Sequence, residues 1–126
     1  MIVAVFIRRL KEGKTFEDFI DAWEADVGFG VPTRVFNAPS LENPRDVMSI
    51  GFVAVSSEEF QTFAARPPES EAVRHDRIDD VIESTTLRCQ YLVRTEHDFT
   101  HLPRKIDLGS AESLLTALVQ QRERLL

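Results

Sequence analysis

Cysteine is nearly absent from this chain of 126 residues, and long apolar runs are absent altogether. Because Cys89 is the single cysteine, no disulfide can form within the chain, a composition typical of a reducing compartment. No stretch approaches the roughly 18 apolar residues that a membrane-spanning helix requires. The opening segment MIVAVFIRRL carries its arginines after the apolar run, whereas a secretory signal carries its positive charges first. We therefore expect a cytoplasmic protein with no membrane partner.

Basic residues are in the minority. The chain has 15 lysines and arginines against 21 aspartates and glutamates, which gives a net charge of −6 at pH 7. The basic residues form small mixed clusters, such as Arg8-Arg9 and Arg104-Lys105, and no basic stripe runs along the chain. A negative net charge opposes nonspecific binding to nucleic acid, so we predict no nucleic-acid partner.

The hydrophobic pattern predicts one domain with two helices and four strands in the order βαββαβ. Two capping boxes mark the helix starts, Thr15 with Asp18 and Ser56 with Glu59. Proline interrupts the second helix in the segment RPPES. The predicted strands are 2–10, 32–38, 47–55 and 85–95, and the predicted helices are 15–28 and 56–82.

This order predicts an α+β fold of the ferredoxin-like type, a four-stranded antiparallel sheet with two helices on one face. The second face of such a sheet is usually polar, but strands 2–10 and 47–55 are apolar on both sides. A second copy of the chain is the simplest cover for that face, which predicts a homodimer. A final helix, predicted over 110–126, could instead cover part of it. We assign the ferredoxin-like domain to residues 1–96, and a linker with the C-terminal helix to residues 97–126.

Three features of residues 1–96 resemble the dimeric α+β barrel superfamily. They are the element order, the Phe16, Phe19 and Trp23 face of the first helix, and His75 late in the second helix. This superfamily includes antibiotic-biosynthesis-type monooxygenases, stress-responsive barrel proteins and haem-degrading monooxygenases. The chain is most similar to an uncharacterised bacterial branch of it. The resemblance implies a homodimer with a pocket between helices and sheet, and in some members a histidine lies near that pocket.

His75 and Asp79 are the candidate catalytic residues. Extending the inward stripe of Ile78 and Ile82 back along the helix reaches His75, on the core-facing side or its flank. Asp79 follows at i+4 and could orient the imidazole by a hydrogen bond. A histidine held in this way is a suitable general base near neutral pH. The alternative interpretation is a histidine on the helix flank, bonded to Asp79 or to backbone, without a chemical role.

Trp23, Arg34 and Tyr91 are the candidate substrate-binding residues. Trp23 lies at the centre of the first helix's apolar stripe, where it belongs either to the core or to a pocket wall. Arg34 could bind an anionic group of a substrate or form an ion pair at the surface or dimer interface. Tyr91 could donate a hydrogen bond to a ligand or lie buried with its hydroxyl at the core's edge.

The sequence predicts no metal and no cofactor. His97 and His101 are four residues apart, but Pro103 follows them, and a metal site needs three or four ligands. The segment EGKT at 12–15 is no phosphate loop, because Arg8 stands where the first glycine is required. The asparagine and tryptophan that accompany the histidine in haem-degrading relatives cannot be placed, so a metal or haem protein is the weakest of the interpretations.

Two hypotheses for function follow. The first is a cofactor-independent, monooxygenase-like enzyme that acts on a small aromatic or polyketide-like molecule. It predicts an aromatic pocket, on the order of several hundred Å³, between the helices and the sheet. The second is a non-enzymatic dimer that binds a small ligand or a protein partner, with a filled interior and His75 satisfied by Asp79.

Overall fold

The structure is a computed structural model that describes residues 1–65, 69–108, 120 and 122–124. The order of helices and strands along the described chain is close to the order that the sequence predicts. The elements are β1 (Ile2–Leu10), α1 (Phe16–Trp23), β2 (Thr33–Pro39), β3 (Asp46–Val53), α2 (Ser57–Ala65), α3 (Glu69–Val81), β4 (Ile82–Leu92), β5 (Glu96–Asp98) and β6 (Arg104–Ile106).

The first four strands form one antiparallel sheet in the order β2-β3-β1-β4. β1 is central and pairs with β3 on one side and with β4 on the other. The two crossovers run from β1 through α1 to β2, and from β3 through α2 and α3 to β4. This is the split βαβ plan, so the predicted ferredoxin-like α+β class is confirmed.

The core lies between the sheet and helices α1 and α3. Its central apolar cluster has no member more than 8% exposed and consists of Leu10, Phe19, Val47, Ile78 and Ile82. Even-numbered residues of β1 and odd-numbered residues of β3 therefore face the helices. Because both faces of these strands are apolar, the sequence pattern left this choice of face open.

Both predicted capping boxes are present. The hydroxyl of Thr15 accepts from the backbone N–H of Asp18 at 3.2 Å, and the carboxylate of Asp18 accepts from the N–H of Thr15 at 2.9 Å. Ser56 and Glu59 make the same reciprocal pair at 3.1 and 3.3 Å. Each box satisfies two backbone donors that a helix start leaves without partners.

Helix α1 ends at Trp23, whereas the sequence predicts a helix that continues to Gly28. Glu24 leaves the helical conformation with a ψ of 136°. Two arginines of α3 satisfy the freed carbonyls: Arg74 donates to the Trp23 oxygen and Arg77 to the Glu24 oxygen, each at 2.9 Å. These contacts stabilise the early end, because the last carbonyls of a helix need partners from elsewhere.

The second predicted helix is two helices in the structure. α2 ends at Ala65 and α3 begins at Glu69, while residues 66–68 of the predicted proline break lie outside the described residues. The following strand, β4, begins at Ile82, earlier than the predicted 85. Pairing of Ile82 with Leu10 at the end of β1 explains the difference, since it draws the chain into the sheet directly after α3.

The sequence predicts a linker after β4, but the structure forms a small antiparallel hairpin of β5 and β6 there. Arg104 and Asp98 form a salt bridge across this hairpin at 3.4 Å. The final helix predicted over 110–126 lies largely outside the described residues. Within that range only Gln120 and 122–124 are described, and they are helical. No helix in the described part of the chain is long and apolar enough to cross a membrane.

The side of the sheet away from the helices is apolar as well, and we call it the open face. It is defined by Phe36, Met48, Phe52 and Tyr91. The exposed fractions of Phe36, Met48 and Tyr91 are 39%, 37% and 51%. Phe36 contacts Phe52 edge-on, with ring centroids 6.0 Å apart.

Candidate functional site

A cavity of about 470 Å³ lies between the sheet and the helices. Its floor is the helix-facing side of the four strands, and α2, α3 and the end of α1 border it. Ala4 and Gly51 pair across β1 and β3 in this floor, and their small size leaves the space above them open. The aromatic side chains that line the cavity are Phe6, Trp23, Phe29 and Phe60.

Arg8 brings a buried positive charge to the cavity from the central strand. Arg8 is only 4% exposed, and its Nη1 donates to the hydroxyl of Ser49 at 3.4 Å. The guanidinium carbon lies 4.6 Å from the centroid of the Phe6 ring. Burial, and then the charges of Arg74 and Arg88, lower the pKa of Arg8 to about 10. Arg8 therefore stays cationic at neutral pH.

Arg74 holds together the part of the wall where α3 meets the end of α1. Its Nε and Nη2 donate to the two carboxylate oxygens of Glu71 at 3.0 and 2.7 Å, while Nη1 donates to the Trp23 carbonyl at 2.9 Å. Its guanidinium carbon lies 5.3 Å from the Trp23 ring centroid and 5.8 Å from that of Phe29. Each guanidinium nitrogen thus has a protein partner, and the aromatic wall is fixed in place.

His75 lines the cavity next to Arg74 on α3, with 35% of its side chain exposed. Its Nε2 lies 3.5 Å from a carboxylate oxygen of Glu71. Burial, and then the charge of Arg74, lower the pKa of His75 below 6.5, against an opposing contribution from Glu71. His75 is therefore mainly neutral at pH 7 and can accept a proton.

The structure pairs His75 with Glu71 and not with Asp79, the partner that the sequence predicts. On a helix both the i−4 and the i+4 neighbours lie beside a given residue, so spacing alone did not distinguish them. Glu71 is held beside His75 by its two hydrogen bonds from Arg74. Asp79 is exposed, and its charge raises the pKa of Arg8.

The lowered pKa of His75 predicts a pH-dependent stability. The unfolded state binds a proton at this residue more readily than the folded state, so the free energy of unfolding should fall as the pH drops from about 7 through the His75 pKa. Urea denaturation over this pH range measures the slope. His75→Gln should flatten it, whereas His97→Gln, on the exposed side of the hairpin, should not. Equal slopes for both variants would contradict the assignment.

The three predicted substrate-binding residues do not lie on the same side of the sheet. Trp23 lines the cavity. Arg34 points away from it, because its neighbours Thr33 and Val35 on β2 line the cavity and side chains alternate along a strand. Tyr91 lies on the open face, where a hydrogen bond with Cys89 raises its pKa. The structure therefore brings Trp23 and His75 together and leaves Arg34 and Tyr91 on the far side.

Sequence reasoning missed two arginines of the cavity, Arg8 and Arg88. Arg8 stood out only as part of a small basic cluster, although it lies two residues before Leu10 in a strand that is otherwise apolar on that side. Arg88 lines the cavity from β4, with its guanidinium carbon 5.6 Å from the Phe6 centroid. Both would have been found had the helix-facing side of the strands been known.

The cavity lining is positive within an acidic chain. The lining contains three arginines (Arg8, Arg74 and Arg88) and two glutamates (Glu69 and Glu71). The whole chain, by contrast, has a net charge of −6. Within the described ranges no group of three or more His, Cys, Asp or Glu side chains is placed to hold a metal ion. The aromatic side chains suit a flat ring, the arginines suit a negative charge, and His75 can accept a proton.

Comparison with known proteins identifies the fold. No family model matches the chain, and no curated protein matches it. A crystal structure of a candidate antibiotic biosynthesis monooxygenase from Chloroflexus aurantiacus J-10-fl matches with a TM-score of 0.57 and 14% sequence identity. The match covers 77% of this chain and 96% of that one. The resemblance drawn from the sequence is thus confirmed as a ferredoxin-like α+β fold shared with that structure.

Proposed function

We propose that this chain is a cofactor-independent, monooxygenase-like enzyme that acts on a small aromatic or polyketide-like molecule. The observation that supports it best is the cavity of about 470 Å³ with His75 on its wall and aromatic side chains around it. A pocket of this size and lining suits a flat apolar ligand. The fold shared with the Chloroflexus protein supports the same class. A cytoplasmic location, which the single cysteine favours, is part of the proposal.

The proposed reaction begins with proton transfer to His75. Removal of a proton from an acidic methylene group beside an aromatic ring leaves an electron-rich carbanion that can reduce dioxygen. One oxygen atom enters the product as a carbonyl and the other leaves as water, so a CH2 group and O2 give C=O and H2O. The substrate supplies all four electrons. The charges of Arg8 and Arg88 would stabilise the anion as it forms.

Oxygen uptake tests the proposal directly. Anthrone and an anthrone carrying a ring carboxylate both have an acidic methylene group between two rings. We expect oxygen consumption above the protein-free rate, with one O2 used for each quinone formed. An oxygen electrode and absorbance of the quinone measure the two quantities. Binding of these compounds without oxygen uptake would contradict an enzymatic role.

The alternative is a non-enzymatic protein that binds a small ligand or a partner. The observation that favours it is the positive lining of the cavity, which can hold a ligand without any reaction. The oxygen measurement separates the alternatives, because a binding protein would bind the anthrones and leave them unchanged.

We also propose a homodimer in which two open faces pack against each other about a two-fold axis. The exposed Phe36, Met48 and Tyr91 support this arrangement, since large apolar patches commonly mark interfaces. Such a dimer would bury the second side of the sheet.

Native mass spectrometry checks the dimer. The expected mass at micromolar concentration is twice that of the 14.4 kDa chain. Phe36→Glu should shift the protein to monomer, because it places a charge in the buried interface. Leu41→Glu, at a fully exposed position in the connection between β2 and β3, is the matched control and should stay dimeric. A monomeric wild type would rule out the proposed dimer.

A further inference from the structure

Arg8 is a buried charge that has no ion-pair partner among the described residues. Arg8 is only 4% exposed, and none of the salt bridges among the described residues includes Arg8. Its hydrogen bond to the Ser49 hydroxyl is long, at 3.4 Å, and the partner is neutral. That hydroxyl donates in turn to Asn37 Oδ1 at 2.6 Å. Since a buried charge is costly without an opposite charge, an anion in the cavity would stabilise Arg8.

The neighbouring charges strengthen this preference for an anion. Arg74 and Arg88 both carry positive charge close enough to Arg8 to lower its pKa. The carboxylate of Glu71 already accepts two hydrogen bonds from Arg74, at 3.0 and 2.7 Å. Asp79 lies near enough to raise the pKa of Arg8, but it is exposed and does not line the cavity. An anionic ligand would therefore meet attraction from Arg8 and Arg88.

The rest of the cavity lining suits a flat ring. Phe6, Trp23, Phe29 and Phe60 contribute aromatic surface. The Arg8 guanidinium lies over the Phe6 ring, with its central carbon 4.6 Å from the ring centroid. Aromatic side chains pack against ligand rings, and the planar fork of arginine matches a carboxylate through two parallel hydrogen bonds.

We infer that the cavity binds a small aromatic carboxylate, with its ring against the aromatic wall and its carboxylate on Arg8. The inference rests on the proposed function and narrows its substrate class to aromatic acids. Arg8 is then the residue that selects the ligand, while His75 remains the residue that accepts the proton.

A pair of matched probes tests this inference without any turnover. trans-Cinnamate and trans-cinnamamide have the same shape, but only the first is charged. Isothermal titration calorimetry gives both affinities. Quenching of Trp23 reports whether the probe enters the cavity, because Trp23 is the single tryptophan and lines it.

Three variants on β1 complete the design. Arg8→Gln removes the proposed anion-binding charge. Arg9→Gln removes a charge from the next residue, which lies on the other side of the sheet and pairs with Asp46 at 2.9 Å. Arg8→Lys keeps the positive charge but loses the paired donors of the guanidinium. Thermal unfolding shows which variants are folded. The comparison of cinnamate with cinnamamide on the wild type tests the inference even where a variant fails to fold.

We expect the wild type to bind cinnamate about tenfold or more tightly than cinnamamide. Arg8→Gln should remove most of this preference, Arg8→Lys should reduce it less, and Arg9→Gln should retain it. Equal affinity for the two probes, with Trp23 quenched by both, would overturn the anion inference and leave the cavity as a binding site. An undiminished preference in Arg8→Gln would overturn the role of Arg8. Failure of both probes to bind would overturn the inference and also count against the proposed function.

Discussion

Glu71→Gln is expected to lower the free energy of unfolding by about 3 kcal/mol. The substitution keeps the shape of the side chain but leaves Arg74 without its carboxylate partner. The Arg74 and Glu71 side chains are only 9% and 15% exposed, so water cannot readily replace the lost partner. Urea denaturation followed by circular dichroism measures the change.

Glu83→Gln is the matched control for this result. It removes the carboxylate of the Arg45–Glu83 salt bridge, whose side chains are 38% and 56% exposed. Exposed pairs contribute little, so the control should change stability by less than about 1 kcal/mol. If both variants lose the same small amount, Glu71 and Arg74 do not hold the cavity wall as described. Since Glu71 raises the pKa of His75, the Glu71→Gln protein should also titrate His75 at a lower pH, as NMR would record.

His75→Gln is expected to reduce the proposed oxygen-dependent turnover about 100-fold or more, because glutamine cannot accept the substrate proton. Ligand affinity should change far less, since the aromatic wall and Arg8 are untouched. The wild-type rate should rise with pH through the His75 pKa, which lies below 6.5, as the neutral imidazole becomes available. Oxygen uptake across a pH series gives both results.

Asp79→Asn distinguishes the sequence-based partner of His75 from the structural one. The structure pairs His75 with Glu71, so the loss of turnover in Asp79→Asn should be much smaller than in His75→Gln. Comparable losses in the two variants would show that Asp79 orients the imidazole after all. Full activity in His75→Gln would remove His75 from the mechanism.

The features that the sequence predicts well are local or periodic. The capping boxes at Thr15 and Ser56 depend on residues three positions apart, and both form as expected. The element order follows from hydrophobic periodicity, and the sheet topology follows from the few ways in which a βαββαβ chain can pack.

The features that the sequence missed depend on contacts between distant parts of the chain. α1 ends at Trp23 because an arginine some fifty positions later binds its last carbonyl. Arg8 escaped notice because β1 is apolar on both faces, so its pattern does not say which face meets the helices. The structure places Glu71 beside His75, because Arg74 holds Glu71 there through hydrogen bonds that spacing cannot indicate.

A crystal structure of the protein grown with trans-cinnamate is the most direct test of the central claim, that the helix–sheet cavity is the functional site. We predict electron density for the ligand beside Trp23, with its carboxylate within hydrogen-bonding distance of the Arg8 guanidinium. A cavity filled by protein side chains, or cinnamate bound only at another surface, would contradict the claim.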